Sequence, residues 1–252
     1  QKISQLDEQD LVLHFRRPGV THRLLIRLAP DDARVVLVEG PLSPAREPSA
    51  FTMLMRKHLS GLPLLKVHQK GMERSVWLDF QGWSLVVEIP GRSNNIFLVA
   101  ESGRLAGMLN PEREGSRRLR PGRDYAVPPR PDRPEALDIS GADLPALLSP
   151  ALGEPVARAL ARAVFGLPPQ QCRLACRLAG LEPLAPLTRE ALEALAATWP
   201  DWNGRLEAGA FEAVRIPGGR VSPWPLGEPG EVRFSSVQEA LREDSDPPGV
   251  RD

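Results

Sequence analysis

Arg56, Lys57, Glu73, Arg74 and Arg92 are the residues of this chain whose types and spacing could do recognition chemistry. Arg56 and Lys57 stand in FTMLMRKHL, where Phe51, Leu54, Met55 and His58 recur at helical spacing, so the two cations fall on the other face. Glu73-Arg74 follows Gly71 and leads into a strand-like run, while Arg92 lies in Pro90-Gly91-Arg92-Ser93-Asn94-Asn95 between two apolar runs. Proline ends ladder donation and glycine permits a tight turn, so this second loop must project from the end of a sheet. A guanidinium flanked by amide and hydroxyl side chains is suited to gripping phosphate. Glu73 and Arg74 in one loop, with Gly91, Arg92, Asn94 and Asn95 in another, are therefore candidate nucleic-acid-binding residues, with Arg56 and Lys57 on a basic helix beside them. The plain alternative is an exposed Glu73-Arg74 turn, where such a pair contributes little.

Catalytic readings find less support. His14, His22, His58 and His68 show no HExxH spacing, and the chain has no nucleophile elbow and no phosphate-binding P-loop. Asp79 and Glu88 lie on neighbouring strand-like runs and could approach as a carboxylate pair, although outward-facing strand charge is the simpler reading. Cys172 and Cys176 stand four apart on an expected helix. They read as two small apolar residues of one face, because a disulfide does not form along a helix and no His or Cys stands near to complete a metal site. The chain reads as a binding protein rather than an enzyme, with no cofactor and no metal.

The 252 residues suffice for two domains, and the hydrophobic share of 42% is that of an ordinary globular protein. The zero net charge is unevenly spread. Residues 1–134 hold 21 Lys and Arg against 15 Asp and Glu, about +6, and residues 135–252 hold 11 against 17, about −6. An excess of cations in the first half points to an anionic partner there. The sequence has no membrane-length apolar run and no secretory signal, so a cytoplasmic location without a membrane partner is expected.

The elements that must position the candidate residues follow from local pattern. Residues 2–6, 11–16, 23–28 and 33–38 read as short strands with acidic or Pro-Asp-Asp turns, and 75–80, 83–89 and 96–99 as further strands of an antiparallel sheet. A proline-rich connector delivers the chain to Ser49, which can cap the basic helix. REGSRRLRPGR, residues 113–123, is basic and weakly structured, and the proline-rich run 128–134 marks a boundary. Beyond it the period becomes helical, over 144–148, 155–165, 170–178 and 188–199, followed by a hairpin around Pro217-Gly218-Gly219. A last helix opens with Ser235 or Ser236 as cap, and Glu239 completes a box three residues on from Ser236. The fold class is α+β: an antiparallel β-rich domain over 1–134, a small helical domain with a hairpin over 135–241, and a flexible tail over 242–252. The helix, glycine turn and helix of 155–178 suit a helix-hairpin-helix unit or simple helix packing equally.

FTMLMRKHL, GMERSVWLDF, LVVEIPGRSNNIFLV and LRPGRDYAVPPRPDRPEALD, in this order and spacing, resemble the N-terminal region of the NFACT family. These are the RqcH- and NEMF-like ribosome-quality-control factors, some of which are labelled fibronectin-binding. KISQLDEQDLVLHF at the start, FGLPPQQCRLACRLAGL and FSSVQEALRE extend the likeness to nearly the whole chain, the latter two resembling the family's helix-hairpin-helix segment and the lead-in to its coiled coil. The resemblance implies a first domain related in fold to the N-terminal domain of formamidopyrimidine-type DNA glycosylases. It also implies binding of large ribosomal subunits that carry stalled peptidyl-tRNA, and recruitment of tRNA for template-independent C-terminal tailing. The family's tRNA-linked acidic-arginine motif falls on Glu73-Arg74, with Glu where Asp is usual. Its glycine-arginine loop falls on Gly91-Arg92, with Pro90 where Met and Ser93 where His are common. The family's leading helix, coiled coil and C-terminal domain have no counterpart, so a fragment or a shortened homologue is expected. The catalytic proline and glutamate of the glycosylases are likewise unmatched by Gln1-Lys2. The expected partners are tRNA and, in a full-length context, the large ribosomal subunit; the alternatives are a fibronectin-binding adhesin or a DNA-binding, glycosylase-like domain.

Overall fold

Leu11, Val12 and Leu13 are all fully buried although alternate residues of a strand face opposite sides. Their strand is therefore covered on both faces. It is β2 (Asp10–Arg17), which pairs with β1 (Lys2–Gln5) and β3 (Val20–Arg27), with β4 (Arg34–Val38) completing a four-stranded antiparallel meander in sequence order. A second antiparallel sheet runs β5 (Leu64–His68), β6 (Ser75–Phe80), β7 (Trp83–Glu88), β8 (Asn95–Ala100) and β9 (Leu105–Met108), again in sequence order. The computed structural model describes residues 2–40, 42–44, 47–111, 117–227 and 229–242.

Both sheets contribute to one core. Ile3, Leu11, Leu13 and Ile26 of the first meet Leu78, Leu85, Val87, Ile96 and Leu98 of the second, with Met55 and Leu59 of α1 (Ala50–Leu59) among them. The intervening positions of β7 and β8, Val86, Phe97 and Val99, turn outward into a smaller cluster with Leu105, Met108 and Leu119. Ser49 caps α1 as its sequence position implies, its hydroxyl accepting from the Thr52 N–H at 3.2 Å. Buried Gln5 adds a long-range tie, its side-chain oxygen accepting from the Ser49 N–H at 2.7 Å and the Thr52 hydroxyl at 2.8 Å. The strand β5 was not expected from sequence. Its run LLKVH follows Pro63, lies at a sheet edge and leaves Leu65 and Val67 exposed, so it carries no alternating signal.

A second unit covers residues 130–240, while Leu241 and Arg242 group with residues 2–129. The division falls inside the proline-rich run. The expected tail lies, from residue 243 on, outside the described residues. In this unit α2 (Leu144–Leu148), α3 (Val156–Ala163), α4 (Pro169–Leu178) and α5 (Arg189–Glu207) enclose Leu144, Leu160, Cys172, Cys176, Leu195 and Trp199. Both cysteines are free, and burial pushes the Cys172 thiol up to about 12 and the Cys176 thiol up to about 11. The hairpin around Gly218 gains a strand the sequence reading missed, giving β11 (Val221–Ser222), β10 (Val214–Arg215) and β12 (Val232–Arg233) side by side. The last helix, α6 (Val237–Arg242), opens with the Ser236 hydroxyl accepting from the Glu239 N–H at 3.1 Å.

The helix α5 continues through Pro200, where a stop at residue 199 was expected. Proline offers no N–H to the carbonyl four residues back, which is that of Ala196. That carbonyl instead faces Gly141, so close that a Cβ at 141 would lie 2.3 Å from the Ala196 oxygen. The Trp199 indole and the Asn203 amide both donate to the Ile139 carbonyl at 2.9 Å, so tertiary bonds replace what the proline removes. Gly141→Ala is expected to destabilise the protein by about 3 kcal/mol, because rigid backbone must shift to admit the methyl group; urea denaturation measures it.

His14 lies in register with Lys2 on one side and Arg23 on the other. Burial, reinforced by the Lys2 and Arg23 charges, lowers its pKa from the ordinary value of about 6.5. The unfolded chain therefore takes up the proton first, so stability is full above about pH 6.5 and falls as the pH drops toward the lowered folded value. A His14→Gln variant should lose less thermal stability than the parent between pH 7 and pH 5; an equal loss would assign the effect to other groups.

Candidate nucleic-acid interface

The register of β6, β7 and β8 sets the site. Ser75 pairs with Glu88, and Glu88 pairs with Asn95, so the loop before β6 and the loop between β7 and β8 leave the sheet at the same end. The Ile89 N–H donates to the Arg74 carbonyl at 2.9 Å, which joins the two loops directly. Arg74 and Arg92 are both exposed there. Two cations from sequence-distant loops thus share one sheet end.

The remaining candidate residues divide. Gly91 has φ +118°, a conformation that L side chains rarely adopt, and its N–H donates to the Asn94 side-chain oxygen at 2.8 Å. Asn94 is fully buried and its amide nitrogen donates to the Leu28 carbonyl at 3.1 Å, tying the loop to the first sheet. Asn95 is also fully buried; its oxygen accepts from the Ile96 and Asn110 N–H groups at 2.9 Å, and its nitrogen donates to the Asn110 carbonyl at 2.8 Å. The expectation that Asn94 and Asn95 offer surface contacts is therefore corrected: their amides are spent on backbone and hold the loop in shape. Glu73 is 8% exposed while its neighbour Arg74 is exposed, so the two side chains occupy different surroundings. The Gln69 amide donates to the Glu73 carbonyl, which braces the backbone beneath Arg74.

Arg56 and Lys57 are placed elsewhere, which corrects the expectation of a basic helix beside the loops. They precede His58 in the last turn of α1, and the His58 ring packs 4.2 Å from that of Trp83. Trp83 opens β7 and Glu88 closes it, a separation of about 17 Å at roughly 3.4 Å per residue. Lys57 is exposed, whereas the Arg56 guanidinium donates to the Ile3 carbonyl at 3.0 Å and is partly committed to the β1 edge.

The supposed carboxylate pair also dissolves. Asp79 pairs in register with Ser84, four residues from Glu88, and accepts from the Ser84 hydroxyl at 2.7 Å and meets His68 at 2.9 Å. Glu88 is 1% exposed and receives Arg117 in a two-pronged ion pair, with nitrogen–oxygen distances of 2.9 and 2.5 Å. The Tyr125 hydroxyl donates to the same carboxylate. Burial opposes the charge of Arg117, but the bonds and charge of Glu88 prevail and its pKa is raised. Burial and the Glu88 charge also push the Tyr125 phenol far above its usual range. This pair anchors the described part of the basic segment, residues 117–123, on the outer face of the sheet, with Arg118, Arg120 and Arg123 exposed; residues 112–116 lie outside the described residues. Lys70 stands over the Trp77 ring at 4.4 Å beside the same loops. Sequence reasoning missed Lys70, Arg117 and Tyr125, and only the clustering of arginines between residues 113 and 123 signalled that a cationic element was near. Among the described residues no group of three or more His, Cys, Asp or Glu could hold a metal ion, and no helix is long and apolar enough to cross a membrane.

The two packed antiparallel sheets with basic loops at one end, followed by a helical unit, define an α+β architecture. Residues 1–243 match the family described as NFACT N-terminal and middle domains, and the chain belongs to that family. It is 32% identical over 156 residues to the Rqc2 homolog RqcH of Bacillus subtilis, covering 57% of this chain and 27% of that protein. To the archaeal Rqc2 homolog aRqcH of Methanocaldococcus jannaschii it is 29% identical over 143 residues, covering 55% of this chain and 21% of the relative. The matches thus span about a quarter of the length of these curated relatives. Among solved structures, the fibrinogen binding protein from Staphylococcus aureus superposes with a TM-score of 0.77 at 21% identity, covering 98% of this chain and 91% of the other. The N-terminal part of the fibronectin/fibrinogen-binding protein from Streptococcus suis gives a TM-score of 0.72 at 23% identity, covering 96% and 89%. These two likenesses show the fold.

Removing one partner of a buried ion pair leaves an uncompensated charge. Arg117→Met should cost about 3 kcal/mol in urea denaturation, and Glu88→Leu in the same background should restore most of it. Additive losses in the double variant would mean that the two side chains are not coupled.

Proposed function

We propose that this chain is a tRNA-binding module of a ribosome-quality-control factor, working through the shared sheet end that carries Arg74 and Arg92. The observation that carries the reading is the junction of the two loops: the Arg74 carbonyl bonded to the Ile89 N–H, with Asn94 and Asn95 buried to shape the second loop. Two exposed guanidinium groups on a braced backbone suit phosphate oxygens, whose recognition is charge-assisted and can be bidentate. The exposed Arg118, Arg120 and Arg123 extend the positive surface of the same unit. The kinship with Rqc2 homologs supports placing this surface in ribosome quality control. In the full-length context it would recognise large subunits carrying stalled peptidyl-tRNA and support C-terminal tailing, in the cytoplasm and without chemistry of its own.

Two finer structural readings accompany the proposal. The α3–α4 pair, joined by residues 164–168 with Gly166 in the turn, is read as a helix-hairpin-helix unit. The β-rich unit is read as a relative of the N-terminal fold of formamidopyrimidine-type glycosylases, without their catalytic residues.

The test is a tRNA titration at two salt concentrations, comparing the parent with an Arg74→Ala/Arg92→Ala variant. Two lost phosphate contacts should weaken binding by about tenfold or more and reduce the salt slope by roughly one to two units. Unchanged affinity in the variant would sink the assignment. Fibronectin and duplex DNA serve as competitors; preferential binding of either one would favour the corresponding alternative over tRNA.

A further inference from the structure

On one side of the paired sheets, α1 packs against the edge strands β1 and β9 and buries Phe51, Met55 and Leu59. The other side, where β4 and β5 form the edges, holds an open slot of about 810 Å³ between the sheets. Phe15, Leu24 and Val35 line it from the first sheet, and Leu64, Val67 and Val76 from the second. Leu24, Val35, Leu64 and Val76 are half-buried, and Val67 is 56% exposed. An apolar groove of this size is the kind of surface that a partner covers.

Charge narrows the partner. Arg16, Arg17 and His22 stand at the slot, all three exposed, and among the described residues no Asp or Glu lines it. The occupant therefore carries carboxylates on the side that meets Arg16 and Arg17. Geometry narrows it further. An added strand would have to pair with β4 or β5, but at β4 the Leu37 carbonyl already accepts from Arg242 at 3.0 Å, and the β5 register shifts between Leu64 and Lys66, with Lys66 facing solvent at that edge. A bulge and an outward lysine are devices that discourage strand addition. A helix meets neither obstacle, and α1 shows within this molecule what fits between the sheets: apolar residues at positions i, i+4 and i+8, as in Phe51, Met55 and Leu59.

We infer that the slot between β4 and β5 docks a short amphipathic helix of a protein partner, with apolar residues at i, i+4 and i+8 and carboxylates facing Arg16 and Arg17. This surface is separate from the Arg74 and Arg92 loops and the inference does not rest on the tRNA reading.

The experiment uses the whole chain and a fluorescein-labelled helical peptide of about 14 residues, long enough for the repeat. The peptide carries leucine at the three anchor positions and glutamate on one flank. Fluorescence anisotropy should show saturable binding that weakens with salt. Arg16→Glu/Arg17→Glu should weaken it by about tenfold or more, and Val67→Asp should abolish it. All three sites are exposed, so circular dichroism should report an unchanged fold. A companion peptide with lysine for glutamate should bind at least about tenfold more weakly. Absence of saturable binding to the parent, equal binding by the variants, or equal binding of the lysine peptide overturns the inference. So does a parent chain that self-associates in sedimentation and is made monomeric by Val67→Asp, since the occupant would then be a second copy. Binding of decanoate in place of the peptide overturns it as well.

Discussion

Cross-strand register between β6, β7 and β8 is the constraint on which the candidate site depends. Side chains alternate with a period of two, so a slip of one residue would send Leu85, Val87, Ile96 and Leu98 outward and bring Val86 and Phe97 into the inner core. Both sets are buried, yet only one pairing also sets Ser75 against Glu88 and Glu88 against Asn95. That pairing brings Arg74 alongside Ile89 and so places the Arg92 loop next to the Arg74 loop. The inner core thus sets which loops meet at the sheet end, through backbone geometry alone.

Buried polar groups then make that end rigid. A buried amide without partners costs free energy comparable to a lost hydrogen bond, so Asn94 and Asn95 are tolerated only because their amide groups find backbone partners. The consequence is a loop whose glycine stays in an unusual conformation while Arg92 projects from it. Glu88 plays the parallel part on the outer face. Its carboxylate is desolvated, and the Arg117 fork and the Tyr125 hydroxyl replace the lost water. A cationic segment with little regular structure of its own is thereby held against the sheet. Exposed charge is left at the surface, and charge that positions the segment is buried beneath it.

The second unit solves its packing by a different compromise. Pro200 breaks one rung of α5, and the helix survives because the Trp199 indole, the Asn203 amide and the close approach of Gly141 fasten it to residues near Ile139. Helix propensity alone places a boundary there, and burial of Trp199 and Trp202 outweighs it. The two cysteines follow the same logic of volume over chemistry, since burial keeps their thiols protonated and unreactive.

The sequence by itself determined what depends on neighbours along the chain. The apolar strand-like runs of β2, β6 and β7, the Ser49 cap, the proline-rich boundary and the placing of Arg74 and Arg92 in loops all follow from local pattern and turn chemistry. The ordered motifs also carried the family, which the match over residues 1–243 shows. Tertiary structure alone decided the rest, because it turns on which distant groups meet. Whether Glu88 points to solvent or to Arg117 depends on the fold bringing together two residues 29 positions apart in the chain. Whether Asn94 reaches a ligand or the Leu28 carbonyl depends on the other sheet. The separation of Arg56 and Lys57 from the loops, by the length of β7, is likewise set by how α1 lies across the core. Local rules fix conformation within a few residues, whereas burial and pairing are settled only when the two sheets close on each other.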